Sequence, residues 1–425
     1  MSWITHGRFI SSKVTRQDAC GSQRKSRNEV YIMIYVGIDV ASEKHDCCIL
    51  SEQNKKLESF SFPNTKAGFA LLLRVCKKYA DQGQTKIGLE STGIYGDNLC
   101  AFLRRNGYEI RTFNPLLIKK SIQATTLRKT KTDQSDACFL ASYLARELPE
   151  PDPQVSYHIS ELKSLTRARF SAVRERSKAK AKLKALLICV FPEFHTAFSN
   201  VFGTAAIAIL RKYPSAQKLA TARKSTVSKI LYEASRHRLG DEKAAMLMEL
   251  AKHSVGCHSE TKTLEIQYYL DQIELNTAYI RRYEASIQNI MNQINSPITT
   301  IPGIGFVLGA MILAELGDIG RFAAPEKVLA FAGLEPSVYQ SGKYTPASGT
   351  MVKRGSPYLR WALLMAARST IVNNPNFATY YQKKVSEGKH YNVICSHVAK
   401  KLVRTIFALL KKNTAYSLHY SLNAA

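Results

Sequence analysis

The sequence has 425 residues, a formal net charge of +27 at pH 7 and a hydrophobic fraction of 45%. No segment approaches the ~18 uninterrupted apolar residues of a membrane span, and no apolar stretch near residue 1 is typical of a secretory signal. We therefore expect a cytoplasmic protein of about two or three domains that does not contact membrane. The excess of positive charge predicts a polyanionic partner, with nucleic acid as the first candidate.

Residues 1–32 are polar, basic and aperiodic, and we expect them to form a disordered extension. The segments "YVGIDV", "HDCCILSE" and "KLESFSFPN" that follow predict an antiparallel meander. A helix at "KAGFALLLRVCKKYA", a strand at "TKIGLEST", a helix at "YGDNLCAFLRRNG" and a strand at "YEIRTFN" come next. This order predicts an α/β domain over residues 33–150, with helices on the faces of a mixed sheet.

The chain becomes helical after residue 150. Two long helical patterns, around "ELKSLTRARFSAVRERSKAKAKLKALLICVF" and "TKTLEIQYYLDQIELNTAYIRRYEASIQNIMNQI", predict a long-helix or coiled-coil region over residues 151–296. Residues 297–425 predict a mostly helical domain. Its turn "PGIGFVLGAMI" is similar to a helix-hairpin-helix turn, whose amides bind phosphate. Tight helix packing explains such a turn equally well.

Four acidic residues are candidates for metal binding. Asp39 lies inside an apolar strand, where a carboxylate is costly unless it is paired or metal-bound. Glu90 ends a second such strand, and Asp133 and Asp136 are three residues apart on one face of a starting helix. Converging carboxylates repel one another unless a hard cation such as Mg²⁺ lies between them. The alternatives are that Asp133 is a helix N-cap and that Glu90 is an ordinary strand-end acid.

The cysteines bear on the redox state of the thiols, and the basic runs bear on binding to phosphate. The nine cysteines have no metal-ligand spacing, and their odd number predicts reduced thiols. A basic run precedes Asp133, with Lys129 and Lys131 as candidate phosphate contacts. A second run supplies Arg174, Arg176, Lys178, Lys180 and Lys182. A solvated helix face is the usual explanation of such a run, but the predominance of one sign over several segments favours a surface that follows phosphates.

Two sets of motifs resemble one known family. "YVGIDVASEKHD", "LESTGIY" and "KTDQSDA" resemble the RuvC-like, RNase H-fold domain of the DEDD insertion-sequence transposases of the IS-one-ten family. The stretch from "IPGIGFVLGAMILAELGDIGRF" to "KRGSPYLRWALLMAA" is similar to the transposase domain of the same family. The two sets occur in the family's order, and the resemblance covers nearly everything from Met33 onward.

The resemblance implies specific roles. The four DEDD acids match Asp39, Glu90, Asp133 and Asp136, and the nucleophilic serine matches Ser341 in "YQSGK", with Ser348 in "ASGT" as a rival. Neighbouring cations that would contact phosphate are Lys343, Lys353 and Arg354. Without the resemblance, this segment is better explained as an ordinary surface loop.

The family's activity is expected to follow. The resemblance implies Mg²⁺-dependent strand cleavage and exchange between donor and target DNA through a covalent serine–DNA intermediate. It also implies a structured guide RNA encoded by the element, a homo-oligomer (dimer or tetramer), and a nucleoid-associated location in a bacterium or archaeon. The alternatives are a RuvC-like, metal-dependent junction nuclease without a covalent intermediate, and a non-catalytic nucleic-acid-binding protein.

Overall fold

A computed structural model describes residues 33–90, 95–125, 132–152, 157–336 and 351–418. The chain divides into two compact units, Met1–Pro153 and Gln154–Ala425. Five candidate residues of the sequence analysis lie outside the described residues: Lys129, Lys131, Ser341, Lys343 and Ser348. Among the helices that are described, none is both long and apolar enough to span a membrane.

The first unit is built around a mixed five-stranded sheet. The strands are β1 Ile34–Val40, β2 Lys44–Ser51, β3 Lys56–Pro63, β4 Thr85–Glu90 and β5 Ile110–Phe113. Their order is β3-β2-β1-β4-β5, with antiparallel pairing among β1, β2 and β3 and parallel pairing of β4 with β1 and β5. The mixed sheet predicted from the order of strands and helices is confirmed.

In the part of the first unit that the structure describes, four helices accompany the sheet. They are α1 Lys66–Tyr79, α2 Asp97–Arg105, α3 Pro115–Thr125 and α4 Asp133–Glu147. The sequence predicted α1, α2 and α4. It missed α3, which begins at Pro115 directly after a strand. Proline is well tolerated in the first turn of a helix, although it suggests a break when the sequence is read alone.

Alternation along β1 assigns its side chains to two faces. Ile34, Val36 and Ile38 share a core with apolar residues of α1 and α2, such as Leu72 and Leu99. Tyr35, by contrast, packs with Leu140 and Leu144 of α4. Because successive side chains of a strand point to opposite faces, the odd-numbered residues of β1 face α4. Asp39 therefore lies on the α4 face of the sheet.

The helix α4 approaches the sheet at Gly37. A Cβ atom at this glycine would lie 2.2 Å from the carbonyl oxygen of Ala137 and 2.3 Å from the amide nitrogen of Ala141. Only a residue without a side chain allows this backbone-to-backbone contact. Gly37 thus determines how close the start of α4 lies to the centre of β1.

A disulfide links the same two layers. Cys48 of β2 and Cys138 of α4 are bonded, with their Cα atoms 4.9 Å apart. The expectation of uniformly reduced thiols is wrong for this pair. The two cysteines are separated by 90 residues, and their proximity arises only when α4 packs on the sheet. Their sequence spacing therefore contained no signal of the bond.

The second unit contains two long antiparallel helices, α5 Tyr157–Val190 and α11 Glu260–Ile294. Arg169 pairs with Glu284, and farther along α5 Arg176 donates to Thr277, which lies earlier in α11. Apolar residues spaced at three, four and seven positions form the buried side of α11: Ile266, Leu270, Ile273, Ile280, Ile287 and Met291. This spacing is typical of interhelical packing, and both long helices predicted from the sequence are confirmed.

Five shorter helices connect these two. They are α6 Phe194–Ala197, α7 Thr204–Lys212, α8 Ala216–Ala220, α9 Lys224–Ala234 and α10 Asp241–Lys252. The helical periods of "TVSKILYEASR" and "DEKAAMLMELAKHS" predict α9 and α10. These helices bury one hydrophobic cluster together with the adjoining parts of α5 and α11.

The remaining helices form a second core in the same unit. They are α12 Phe306–Leu316, α13 Pro325–Ala332, α14 Pro357–Asn373, α15 Pro375–Ser386 and α16 Tyr391–Lys412. Leu162 of α5 and Ile287 of α11 belong to this core. In the turn before α12, Gly303 has φ +97° and packs against the backbone of Thr370 in α14. This contact favours the tight-packing explanation of the turn.

Candidate active site

Two of the candidate acids lie at the ends of neighbouring parallel strands. The recorded pairs between β1 and β4 are Ile34↔Thr85 to Ile38↔Leu89, so Asp39 and Glu90 follow one step beyond the last pair. A Cβ atom at Gly88 would contact Phe113 and, at 3.2 Å, Leu144 of α4. Glu90, two residues later, therefore belongs to the same α4 face as Asp39.

The other two acids lie in the first turn of α4. Asp133 and Asp136 are the acidic residues of that turn. The helix is capped by Thr132, whose Oγ1 accepts a hydrogen bond from the Ser135 amide at 3.2 Å. The Ser135 hydroxyl in turn accepts one from the Thr132 amide at 3.0 Å. The alternative that Asp133 is the N-cap is therefore wrong, because this reciprocal pair already caps the helix.

All four acids thus belong to one face of the first unit. Asp39 and Glu90 come from strand ends, while Asp133 and Asp136 come from the start of the helix that covers β1. Within the described ranges, no three Asp, Glu, His or Cys side chains are close enough together to hold a metal ion. The backbone brings the acids to the same face of the sheet and to the same end of its strands. It does not bring them close enough to form a complete set of metal ligands in the described residues.

A fifth acid was missed by the sequence analysis. Asp46 of β2 lies directly opposite Asp39 of β1 in the antiparallel register of the two strands. Its side chain is almost completely buried. The Ser61 hydroxyl donates a hydrogen bond to Asp46, and Lys44 lies 3.6 Å from its other carboxylate oxygen. The signal available in the sequence was a charged residue inside the apolar strand pattern "KHDCCILS". A carboxylate that is buried in such a strand requires partners.

Its neighbour His45 points the other way. His45 is fully buried and packs against the rings of Phe62 and Phe69 on the α1 face. Burial lowers the pKa of His45 below its ordinary value. The neutral imidazole accepts a long hydrogen bond from the Ala41 amide through Nδ1, at 3.4 Å. His45 is therefore a core residue, and it lies on the opposite side of the sheet from the acids.

The candidate cations of α5 differ in their surroundings. Arg176 donates to Thr277 at 3.4 Å, and Lys178 pairs with Glu175 at 2.8 Å. Lys180 lies over the ring of Phe202, and burial, with the neighbouring Arg176, lowers its pKa. Arg174 contacts the ring of Phe170. Arg174, Lys178 and Lys182 are exposed, whereas Arg176 and Lys180 are half-buried.

The segment expected to contain the nucleophile is described only at its two ends. Pro336 and Met351 form an isolated antiparallel bridge. The candidate cations that follow, Lys353 and Arg354, are both exposed, and Lys353 has a left-handed backbone with φ 55°. Lys353 and Arg354 therefore lie a few residues after the end of the segment that includes Ser341.

Comparisons with known proteins identify the family. A DEDD transposase model of the IS110 type matches residues 36–192, and a model described as transposase IS116/IS110/IS902 family matches residues 295–382. Similar proteins include the insertion element IS900 uncharacterized 42 kDa protein of Mycobacterium paratuberculosis, 24% identical over 90% of this chain and 97% of that protein. The pilin gene-inverting protein of Moraxella lacunata is 23% identical over 90% of this chain and 97% of its own length.

Two further similarities are weaker. The mini-circle putative transposase for IS117 of Streptomyces coelicolor is 22% identical over 88% of this chain and 92% of that protein. A solved structure of T. thermophilus RuvC in complex with a Holliday junction substrate aligns with a TM-score of 0.22 and 12% identity, over 28% of this chain and 99% of that one. A structural similarity of this size does not by itself define a fold.

The two family models together match more than half of the chain, and the chain belongs to the IS110/IS116/IS902 family of transposases. Membership makes it an enzyme that acts on DNA. The DEDD type of its first unit also implies a divalent metal ion. The chemistry of the four acids fits such an ion, because carboxylate oxygens are the ligands that hard divalent cations prefer.

Proposed function

We propose that this protein recombines DNA by Mg²⁺-dependent strand cleavage and exchange, with a covalent serine–DNA intermediate. The observation that carries the proposal is the common placement of four acids on the α4 face of the sheet. The first unit would then be a RuvC-like, RNase H-fold catalytic domain. Its mixed sheet, with acids at the ends of β1 and β4, supports this assignment.

The acids Asp39, Glu90, Asp133 and Asp136 would hold Mg²⁺. When bound, the ion would neutralise charge on the reacting phosphate and favour ionisation of an attacking hydroxyl. The chain's own contribution is to keep two carboxylates on stiff strand ends and two on a capped helix. Such supports are more rigid than loops and favour a reproducible ligand geometry.

The Ser341 hydroxyl would then attack a DNA phosphate. A bond forms between the serine Oγ and phosphorus, and the bond from phosphorus to one sugar oxygen breaks. The proton of the serine is transferred, through a general base, to the departing sugar oxygen. One phosphodiester replaces another, so the reverse attack by a sugar hydroxyl of a second strand rejoins DNA without an external energy source.

The cations would hold the nucleic acids. Exposed side chains on α5, among them Lys182, and the exposed Lys353 and Arg354 are available for phosphate contacts. Lys129, Lys131 and Lys343 are proposed for the same task from their sequence positions. Backbone contacts do not read sequence. We therefore propose that a structured guide RNA encoded by the element selects the target.

We further propose that the protein works as a homo-oligomer, a dimer or a tetramer. Strand exchange joins donor and target DNA, and each broken strand needs its own attacking serine. A single chain provides one Ser341, so at least two copies have to act together. The family resemblance supports this assembly.

Trapping of a protein–DNA adduct tests the proposal. The full-length protein, element-end DNA labelled on one strand, and RNA transcribed from the element would be mixed with Mg²⁺ and quenched in denaturant. We expect an adduct with the wild-type protein and with Ser348→Ala, and none with Ser341→Ala. An adduct that maps to Ser348 would move the nucleophile by seven residues. Cleavage by Ser341→Ala at the wild-type rate, with free DNA ends, would instead indicate a junction nuclease that uses water.

A further inference from the structure

Three polar residues form a row across the antiparallel part of the sheet. The register places Asp39 of β1 opposite Asp46 of β2, and Asp46 opposite Ser61 of β3. Residues directly opposite each other in an antiparallel pair share one face, and their Cβ atoms lie about 4.5–5.5 Å apart. Because Asp39 lies on the α4 face, Asp46 and Ser61 lie on that face too. Asp46 therefore places a second carboxylate beside a candidate metal ligand.

The next row of the sheet identifies this face independently. Cys48, two residues after Asp46 in β2, is bonded to Cys138 of α4. Gly37 lies opposite Cys48, and its backbone approaches that of Ala137. Side chains two residues apart in a strand point to the same side. Asp46 is thus on the side of the sheet that α4 covers.

The contacts along β1 show which end of α4 lies nearer the polar row. Tyr35, near the beginning of β1, packs with Leu140 and Leu144. Two residues later, Gly37 lies against Ala137. As β1 is followed towards its end, its contacts move towards the start of α4. The polar row comes next along the strand, so the first turn of α4, with its two acids, lies on the side of this row.

The Asp46 carboxylate is buried and held from two sides. The Ser61 hydroxyl donates a hydrogen bond to its Oδ1, and Lys44 Nζ lies 3.6 Å from its Oδ2. The Asp46 side chain is only 6% exposed, whereas that of Lys44 is 59% exposed. An ion pair with an exposed partner is weak, so Lys44 compensates only part of the buried charge. Asp46 thus provides a negative charge in a fixed position.

We propose that Asp46 is a positioning residue of the proposed metal site and strengthens Mg²⁺ binding through Asp39. Like charges directly opposite each other in a sheet repel, and a cation bound at Asp39 relieves that repulsion. Groups placed behind metal ligands commonly change metal affinity by about 10- to 100-fold. Lys44 has the opposite effect, because its positive charge competes with the ion. This inference rests on the proposed Mg²⁺ site of the four acids.

The test measures Mg²⁺ binding by the full-length protein without DNA. Thermal unfolding would be followed in a Mg²⁺ titration, and the Mg²⁺ midpoint is the concentration that gives half of the maximal rise in melting temperature. Asp46→Asn keeps the size of the side chain and an acceptor for Ser61, and we expect it to raise the midpoint about tenfold. Its rate of DNA cleavage at saturating Mg²⁺ should stay close to that of the wild type.

A second variant gives a shift of the opposite sign. Lys44→Gln removes an exposed cation and leaves Asp46 in place, and we expect it to lower the Mg²⁺ midpoint about twofold, the size of an exposed charge interaction. Since Lys44 is exposed, this variant tests the inference even if Asp46→Asn does not fold. An unchanged or raised midpoint in Lys44→Gln would overturn the inference.

Two control variants separate charge from structure. Ser61→Ala removes the hydrogen bond to Asp46 but no charge, and it should leave the Mg²⁺ midpoint unchanged. Glu58→Gln removes an acid of β3 on the opposite face of the same sheet, where Glu58 accepts hydrogen bonds from Lys78 and Tyr79 of α1. It should also leave the midpoint unchanged, although it loses its own ion pair with Lys78.

The outcomes distinguish the inference from the function on which it rests. If the wild type responds to Mg²⁺ and folded Asp46→Asn has the same midpoint, the inference alone is wrong. If Ser61→Ala or Glu58→Gln raises the midpoint as much as Asp46→Asn does, the role of Asp46 is structural, and the inference is wrong again. If the wild type neither cleaves DNA with Mg²⁺ nor is stabilised by the ion, the proposed metal site fails and the inference fails with it.

Discussion

The two units hold their proposed functional groups in different ways. In the first unit, Asp39 and Glu90 are parts of strands, and Asp133 and Asp136 are parts of a capped helix. In the second unit, the proposed serine belongs to the segment between two helices, and contacts at the base of that segment are made by Arg360 and Glu315. The four acids are placed by the backbone of regular elements, whereas the described ends of the segment between α13 and α14 are held by side-chain hydrogen bonds.

The largest expected effect concerns the acids. Asp39→Asn preserves the size of the side chain but removes its charge, and we expect strand cleavage to fall by about a thousandfold, the scale on which loss of one electrostatic stabiliser acts. DNA binding should persist, since phosphate affinity is distributed over many cations. Cleavage assays and filter binding would measure the two quantities.

Matched substitutions sharpen this prediction. Glu90→Gln, Asp133→Asn and Asp136→Asn should behave like Asp39→Asn, whereas Asp97→Asn, an exposed acid in the first turn of α2, should cleave normally. Mg²⁺ titrations followed by thermal unfolding provide a readout independent of activity. Near-normal cleavage by any two of the four variants would contradict a four-acid site.

The next effect concerns Glu315 of α12, a buried carboxylate that accepts hydrogen bonds from Arg167 and Ser356. Glu315→Ala removes the acceptor of Arg167 and Ser356, and we expect it to lower the free energy of unfolding of the second unit by about 2 kcal/mol. This is less than a fully buried pair would cost, because the Arg167 side chain is 40% exposed and water rehydrates it. Chemical denaturation would measure the change.

An exposed ion pair provides the control for Glu315. Arg211 pairs with Asp271 and Glu274, whose side chains are both well exposed. Asp271→Ala should therefore change stability by less than about 1 kcal/mol. Equal losses in the two variants would show that burial does not distinguish the pairs.

A third effect tests backbone placement in the first unit. Gly37→Ala puts a methyl group against the backbone of α4, and we expect a loss of about 1–3 kcal/mol from overpacking. Cleavage should fall as well, because α4 contains Asp133 and Asp136. Gly83→Ala, where an added Cβ meets nothing within 4 Å, should leave both stability and cleavage unchanged. Denaturation curves and cleavage rates of the two variants would decide.

The smallest effect separates the cations of α5. Lys182→Gln should reduce the slope of log affinity against log salt by about 0.7–0.9, the contribution of one phosphate contact. Arg176→Gln should change the slope less, because Arg176 already donates to Thr277. Binding to duplex DNA across a salt series is the measurement. Identical slopes for wild type and Lys182→Gln would indicate that this face of the helix is merely solvated.

Periodicity alone was enough to predict most elements. Strand alternation around Asp39 and Glu90 and the long helical patterns of α5 and α11 are confirmed. Local capping was misjudged: the cap is Thr132, one residue before Asp133. Asp46 was overlooked, since its importance depends on the strand that lies beside it.

The sequence by itself determined which segments are strands or helices and which of their residues are apolar, because these properties depend on neighbours a few positions away. Only the tertiary structure decided which distant residues meet. Cys48 bonds Cys138 across 90 residues, and Arg167 pairs with Glu315 across 148. Such contacts arise when elements pack, and no local pattern specifies the partner. For the same reason, the common face of the four acids was a hypothesis until α4 was seen to cover β1.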